Sequence, residues 1–230
     1  MRGRLPALVS LLVVCGVLAA LPFMLSDYNE LLAAQVGIYF IAVLGLNILT
    51  GYTGQISIGH GAFMAVGGYT TAVMSRDHHT NLLLTMLIAF AICFVLGLLV
   101  GLPALRLSGV YLALATFALA VSVPQLPLKW SNFLGGRDGV QTSRTVSHTW
   151  LYGTAWMVSA ILFALAWLIL RGRAGRAFRA VRDSEIAAAS SGVSLPIYKT
   201  FAFGASAAFA GVAGSLFVLA TNGFAQPNEF

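Results

Sequence analysis

The sequence predicts an all-α fold, a polytopic bundle of transmembrane helices, and three observations lead to it. The chain of 230 residues is 59% hydrophobic and only 9% charged, whereas roughly 25% of the residues of a soluble protein are charged. Its mean hydropathy is +0.88. The apolar residues gather into long runs, several near the ~20 residues that span a bilayer as a helix. We therefore expect about seven hydrophobic segments in a single transmembrane domain, residues 1–230.

The first and third of the seven predicted segments are the least regular. The first follows two arginines, and a cleaved signal peptide is the alternative. Its apolar run is longer than the roughly 7–15-residue core of a signal peptide, which favours a retained helix. The third segment is short for a full span and rich in small residues that allow close helix contact. The predicted segments are Leu5–Leu25, Leu31–Thr50, Ala62–Met74, Leu82–Leu102, Gly109–Leu128, Trp150–Leu170 and Thr200–Ala220.

Prolines and small residues predict how these segments end and pack. Pro103 is expected to end the fourth helix, and Pro124 and Pro127 to break the fifth. Gly97 and Gly101 lie four residues apart and predict a close-packing face. A second such face is expected on the seventh segment, from Ala207, Gly211 and Gly214.

Basic residues predict the orientation, because cytoplasmic loops carry an excess of Lys and Arg. If the amino terminus is cytoplasmic and each segment crosses once, nine of the 13 basic residues lie inside and four outside. This count requires Ala62–Met74 to be a crossing. The inside residues are Arg2, Arg4, Arg106, Arg171, Arg173, Arg176, Arg179, Arg182 and Lys199, and the outside residues are Arg76, Lys129, Arg137 and Arg144.

The loop of residues 171–199 holds six of the 13 basic residues. Its apolar residues fall near one side of a helical projection, and its arginines lie off that side. A short amphipathic element of this kind can lie in the groove of a partner protein. The alternative is a loop on the lipid surface, with Phe178 and Val181 among the headgroups. The apolar side consists of Ala174, Ala177, Phe178, Val181 and Ala188.

The same loop carries signals for helix ends and one ion pair. Asp183 follows Arg179 by four residues, the spacing of a helical ion pair. Asp183 or Ser184 is expected to cap a second short helix, EIAAAS, that Gly192 would end.

The uncharged link GYTGQISIGHG is the other functional candidate. Its glycines permit a non-helical or tightly turned backbone, which at membrane depth is tolerated only inside protein or along a cavity. Backbone amides and helix ends there could bind the carboxylate of a zwitterion. The alternative is a turn with close small-residue packing. The candidate substrate-path residues are Gly51, Tyr52, Gly54, Gln55, Ser57, Gly59 and His60.

Several function classes lack their signals in this sequence. No G-x-x-x-x-G-K-[ST] phosphate loop occurs, so we expect no ATPase activity of that type from the chain itself. Neither H-E-x-x-H nor paired cysteines occur, so no metal site is expected. His60 has no nearby acid or second ligand that would make it a catalytic base or metal ligand. Cys15 and Cys93 are expected to be packing residues. No basic–aromatic face predicts nucleic acid as a partner.

The predicted spans contain almost no ionisable residue. Carriers coupled to protons or sodium often keep one at mid-membrane. This disfavours the alternative function, a stand-alone secondary transporter or channel for small apolar or amide solutes. An intramembrane enzyme would need paired polar residues facing one cavity, and the sequence shows none.

Two long stretches resemble the signature motifs of one transporter family. GRAFRAVRDSEIAAASSGVSLPIYKTFAFGASAAFAGVAGSLF resembles the cytoplasmic loop and following helix of branched-chain amino-acid ABC transporter permeases, the LivM type. GYTGQISIGHGAFMAVGGYTTAV resembles the other signature of that family, and GGRDGV resembles a third, shorter one. Together they cover most of residues 30–220, in the family's order.

The resemblance implies a permease subunit of an ABC importer in the bacterial inner membrane. It would carry branched-chain or related amino acids, with urea, short amides and other amino acids as alternatives. Separate ATPase subunits would bind ATP, so no cofactor is expected in this chain. A second permease subunit and an extracytoplasmic solute-binding protein are the other implied partners. The family has about eight or more spans, so a chain ending at Phe230 is expected to lack its carboxyl-terminal part.

Loop 171–199 corresponds by position to the coupling helix that docks into the ATPase. It departs from the general importer pattern E-A-A-x-x-x-G, because Ile186 occupies the Glu slot and Glu185 stands one residue earlier. The expected coupling residues are Arg176, Phe178, Arg179, Arg182, Asp183, Glu185, Ala187, Ala188 and Gly192.

Overall fold

The computed structural model describes residues 26–78, 80–107, 109–142 and 146–227, and these form a bundle of long helices with a short two-stranded ribbon. A π-helical turn, Asn47–Tyr52, continues the first helix, and a 3-10 turn, Val123–Gln125, joins the fourth to the fifth. The predicted all-α fold is confirmed. The elements are α1 (Asp27–Leu46), α2 (His60–His78), α3 (Leu82–Ala104), α4 (Val110–Ser122), α5 (Leu126–Lys129), α6 (Ser131–Leu134), β1 (Val140–Gln141), α7 (His148–Arg171), α8 (Arg173–Asp183), α9 (Glu185–Ser190), α10 (Leu195–Ala220) and β2 (Phe224–Ala225).

Five helical stretches of the described chain are long and apolar enough to cross a membrane, and they match five of the seven predicted segments. The predicted segment Leu5–Leu25 lies outside the described residues. The predicted segment Ala62–Met74 belongs to α2, which has 19 residues and is longer than its apolar run. The five stretches are Asp27–Tyr52, Leu82–Ala104, Val110–Lys129, His148–Arg171 and Leu195–Ala220.

The three prolines lie close to the helix end and the helix break that the sequence predicts. α3 ends at Ala104, one residue beyond Pro103. α4 gives way to the 3-10 turn that contains Pro124, and Pro127 lies in the short α5 that follows. The change of helix type fits the loss of backbone donors at both prolines.

Small residues let α2 and α10 cross at very short distance. A Cβ atom on Gly67 would collide with the carbonyl oxygen of Gly211, and one on Gly214 with the carbonyl of Met64. The hydroxyl of Ser215 donates to the carbonyl of Gly67 at 3.2 Å. Backbones approach this closely in membranes only where side chains are minimal. The predicted small-residue face of the seventh segment is therefore confirmed.

The predicted α3 face is confirmed as well. A Cβ on Gly97 would lie 2.6 Å from Ala207 Cβ and 2.8 Å from Gly204 Cα. A Cβ on Gly101 would lie 3.1 Å from Thr200 Cα. Helix α10 thus lies between α2 and α3 at the centre of the bundle.

Contacts between connecting segments define two ends of the bundle. At the ribbon end (β1, β2, α6 and the last turn of α2), Arg76 Nη2 contacts the Phe133 carbonyl at 3.5 Å, and Val140 pairs with Ala225. At the loop end (the π turn, α8, α9 and the first turn of α10), Arg182 contacts Gly51. Residues 53–78 therefore run from one end to the other, as the predicted crossing pattern requires.

Candidate functional site

The apolar side of α8 faces protein. Phe178 is completely buried, stacks on Phe201 with ring centroids 6.2 Å apart, and meets Tyr198 edge-on at 6.3 Å. Val181 is also buried. The lipid-surface alternative, with Phe178 and Val181 among headgroups, does not fit this placement. Phe178 instead anchors α8 to α10 and offers no surface for direct contact with a partner.

The predicted arginines lie on the opposite, exposed face of α8. Arg176 and Arg179 are exposed, and neither makes a hydrogen bond or ion pair among the described residues. Arg182 differs, because its Nη1 donates to the Gly51 carbonyl at 3.1 Å. Its Nε and Nη2 both donate to Asp183 Oδ1 at 3.2 Å. The predicted Arg179–Asp183 ion pair is wrong. Asp183, the last residue of α8, pairs with Arg182, whose guanidinium also contacts Gly51.

Helix α9 has the predicted cap and stop. Ser184 Oγ accepts from the Ala187 amide at 3.3 Å, and Gly192 has a left-handed φ of +83° after the helix ends. Ala188 is buried, whereas Ala187 is exposed and Ile186 is 83% exposed. An exposed apolar side chain therefore stands where the general importer pattern carries Glu.

Lys199 is a site residue that sequence reasoning missed. Its Nζ lies 2.6 Å from Glu185 Oε1, and its side chain is only 7% exposed. Its carbonyl accepts from Gln55 Nε2 at 3.4 Å, and the same nitrogen donates to Thr53 Oγ1 at 3.0 Å. The sequence did carry a signal. Lys199 lies near the start of an apolar helix that contains no Asp or Glu, so a buried ammonium group there needs a carboxylate from another element. Lys199 joins α9, α10 and the link.

The link is an extended segment rather than a compact turn. Thr53 Oγ1 donates to the Leu49 carbonyl at 2.5 Å and fastens its start to the π turn, where Tyr52 packs half-buried against the core. Beyond this point side chains alternate, as they do in any extended backbone. The buried positions are Thr53, Gln55, Ser57 and Gly59, and the exposed ones are Gly54, Ile56 and Ile58.

Two glycines let the link pass its neighbours. Gly54 has φ +71°, and a Cβ there would lie 3.1 Å from Arg182 Cγ. A Cβ on Gly59 would lie 2.9 Å from the Thr116 carbonyl oxygen, and the Ile58 amide donates to Thr116 Oγ1 at 3.0 Å. The link therefore passes beneath α8 and then against α4.

His60 begins α2 inside the bundle. Its Nε2 lies 2.6 Å from Ser206 Oγ, which donates to the Gly45 carbonyl at 2.7 Å. Because the hydroxyl proton is used there, His60 Nε2 must carry the proton of its own contact. Ser206 lies roughly 16 Å along α10 from Leu195 at ~1.5 Å per residue. The link thus carries the chain from the loop end to the middle of the bundle.

No group of three His, Cys, Asp or Glu that could hold a metal occurs among the described residues. An apolar cavity of about 380 Å³ lies nearer the ribbon end, bounded by α2, α3 and the α4–α6 region. Tyr69, Thr70, Ile92, Trp130 and Phe133 are among its lining residues, and no charged side chain lines it. A zwitterion there would leave both charges unpaired.

The two regions singled out in the sequence therefore meet at the loop end. Arg182 contacts Gly51 and lies against Gly54, and Lys199 connects Glu185 with Gln55. These contacts join α8, α9 and the start of α10 to the link.

The family model described as branched-chain amino acid transport system / permease component matches residues 29–230. The chain belongs to this permease family. The predicted family resemblance is confirmed, and the match includes both the link and α8–α9.

Curated relatives of this permease share most of its length. The high-affinity branched-chain amino acid transport system permease protein LivM of Escherichia coli is 34% identical, and that of Salmonella typhimurium is 33% identical. Each match covers 97% of this chain and 59% of the relative, so the chain spans about three fifths of their length. The probable LivM protein of Methanocaldococcus jannaschii is 24% identical over 85% of the chain and 68% of that protein. No solved structure matches the chain.

Proposed function

We propose that this chain is the membrane-spanning part of an ABC importer permease subunit. The importer carries branched-chain or related amino acids and is driven by separate ATPase subunits. The observation that carries this proposal is the pair of contacts, Arg182 to Gly51 and Lys199 to Glu185, that joins an exposed charged loop to the π turn and to the start of the central helix α10. A motor that moves α8 and α9 moves the link with them.

The loop end is the cytoplasmic end in this proposal. Arg176, Arg179 and Ile186 offer an exposed surface of mixed charge and apolar character to an ATPase subunit, and the excess of basic residues in loop 171–199 follows the positive-inside rule. With the predicted segment Leu5–Leu25 as one further crossing before α1, the amino terminus is cytoplasmic too. The ATPase supplies bound ATP, and an extracytoplasmic binding protein delivers solute at the ribbon end.

The link forms part of the substrate path. Its backbone is non-helical, and such backbone at membrane depth faces a protein-lined cavity rather than lipid. Gln55 and Ser57 are buried, and Gln55 fastens the link to α10, whereas Gly54, Ile56 and Ile58 are exposed. An outward face of this composition suits Leu, Ile and Val side chains. A second permease subunit completes the path opposite this face.

The test is docking of the ATPase to α8. The double variant Arg176→Glu and Arg179→Glu should lower the amount of co-purified ATPase about tenfold, as expected for reversal of interfacial charge. Arg182 is left intact because it serves an internal contact. Arg137→Glu at the ribbon end is the matched control and should retain full co-purification.

Equal recovery of ATPase with the α8 double variant would contradict the docking role. Uptake by the complete permease in the absence of any ATPase would support a stand-alone carrier instead. Purification from native membranes, with identification of the bound ATPase and solute-binding protein, would name the partners.

A further inference from the structure

We propose that the Glu185–Lys199 ion pair is an internal strut of the coupling mechanism. Glu185 acts as a positioning residue that holds α9 to α10, and it does not serve as the contact of the permease with the ATPase. This inference rests on the proposed importer function. The family resemblance instead places Glu185 among the residues expected to couple the permease to the ATPase.

Burial makes the pair obligatory for Lys199. The ammonium group is enclosed at the start of α10, with its side chain 7% exposed and Glu185 Oε1 at 2.6 Å. Helix α10 contains no Asp or Glu of its own. An enclosed ammonium group left without a carboxylate is strongly destabilising. Glu185 must therefore stay paired with Lys199 when α10 moves.

The pair also decides which side of α9 faces outward. Helix α9 has six residues, and with Glu185 held to Lys199 and Ala188 buried, one side of this short helix is fixed against the bundle. Ile186 is then turned outward, with 83% of its surface exposed. If Glu185 were released from Lys199, α9 would be free to rotate about its flanking residues. No single side of α9 would then remain exposed.

From Lys199 the connection continues into the link. The Lys199 carbonyl accepts from Gln55 Nε2 at 3.4 Å, and Gln55 in turn contacts Thr53 at 3.0 Å. The same residue therefore joins α9 through its side chain and the link through its backbone. Loss of the ion pair should separate ATPase activity from solute movement while α8 stays docked.

The experiment exchanges the two charges in the complete importer. Glu185→Lys and Lys199→Glu as single variants place like charges together. The double variant restores an ion pair of the same total side-chain length, since one long and one short side chain remain. Each preparation is measured for co-purified ATPase, ATP hydrolysis and solute uptake.

Like charges at this enclosed site should lower the accumulation of both single variants. In the complexes that do accumulate, we expect the ATPase to stay bound and uptake per ATP hydrolysed to fall about tenfold or more, with recovery to within about threefold in the double variant. Lys199→Met retains the length of the side chain and removes the buried charge. It should accumulate like the parent protein and should also show reduced uptake. The test therefore does not depend on whether Lys199→Glu folds.

Three results would overturn the strut. Loss of bound ATPase in Glu185→Lys, without recovery in the double variant, would make Glu185 a direct partner contact. Normal uptake by Lys199→Met would make the pair dispensable. An unmodified complex that contains no ATPase would refute the proposed importer function itself, and the strut with it.

Discussion

Helices α7 and α10 are alike in sequence character and opposite in surroundings. They have 24 and 26 residues and mean hydropathies of 2.0 and 1.8 in their most apolar windows. Yet 94% of the α10 window is buried, against 28% for α7. The difference lies in side-chain size, because α10 carries Ala and Gly where α7 carries Leu, Ile and Trp. Hydropathy predicts that a helix enters a bilayer, and residue size predicts how deep in the bundle it lies.

The comparison has a functional side. Helix α7 is attached to α1 by one face, through Ser159 to the Gly37 carbonyl at 3.0 Å and Trp156 to the Ala33 carbonyl at 3.2 Å. Helix α10 contacts α1, α2, α3, α8 and α9, and it also touches α7. Helix α10 is therefore packed against most of the bundle, whereas most of α7 is exposed on the outside of the described bundle.

The largest expected effect comes from adding volume to the α2–α10 crossing. Gly67→Leu should abolish accumulation of folded protein, because even a Cβ atom collides with the Gly211 carbonyl. Gly153→Leu on α7 is the matched control, since a Cβ there meets nothing within 4 Å. Size-exclusion chromatography of the solubilised protein measures both. Equal monodisperse yields would contradict the assignment of α10 to the core.

A smaller effect is expected from removing the anchor of α8. Phe178→Ala should lower the free energy of unfolding by about 3–5 kcal/mol, because a fully buried ring leaves a cavity. Ile161→Ala on the outer face of α7, where the side chain is 59% exposed, should change it by less than about 1 kcal/mol. Thermal denaturation in detergent compares them. A stable Phe178→Ala protein would mean that α8 is not fastened to α10 by this contact.

The smallest of the three effects is expected at the link. Gly54→Val in the complete permease should reduce uptake several-fold, because φ +71° strains a branched residue by about 1–3 kcal/mol and its Cβ meets Arg182. Protein yield should stay near that of the parent. Gly153→Val is the control and should transport normally. Unchanged uptake by Gly54→Val would mean that the link only packs against its neighbours and is not part of the substrate path.

Much of the bundle could be predicted because its determinants are local. The spacing of Gly97 and Gly101 predicts a close helix face whatever lies opposite. The cap at Ser184 and the stop at Gly192 are likewise contained in a few residues. The amphipathic pattern of loop 171–199 also predicts which side of α8 is apolar.

The remainder depends on contacts between distant residues. The apolar side of α8 suits a partner, lipid or the protein's own core equally well, so the burial of Phe178 could not be read from its pattern. The spacing of Arg179 and Asp183 fits a helical ion pair, but Asp183 pairs with Arg182, whose guanidinium also contacts Gly51. The extended shape of the link likewise depends on Thr116, far away in sequence.

The most direct test of the account is the side of the membrane on which each end lies. In protein with Cys15→Ala, where the remaining native Cys93 is buried, single cysteines are placed by Ser190→Cys at the loop end and Asp138→Cys near the ribbon end. Both positions are exposed. An impermeant maleimide should label position 138 in sealed spheroplasts and position 190 only after the membrane is opened. Labelling of position 190 in sealed spheroplasts would contradict a cytoplasmic coupling loop.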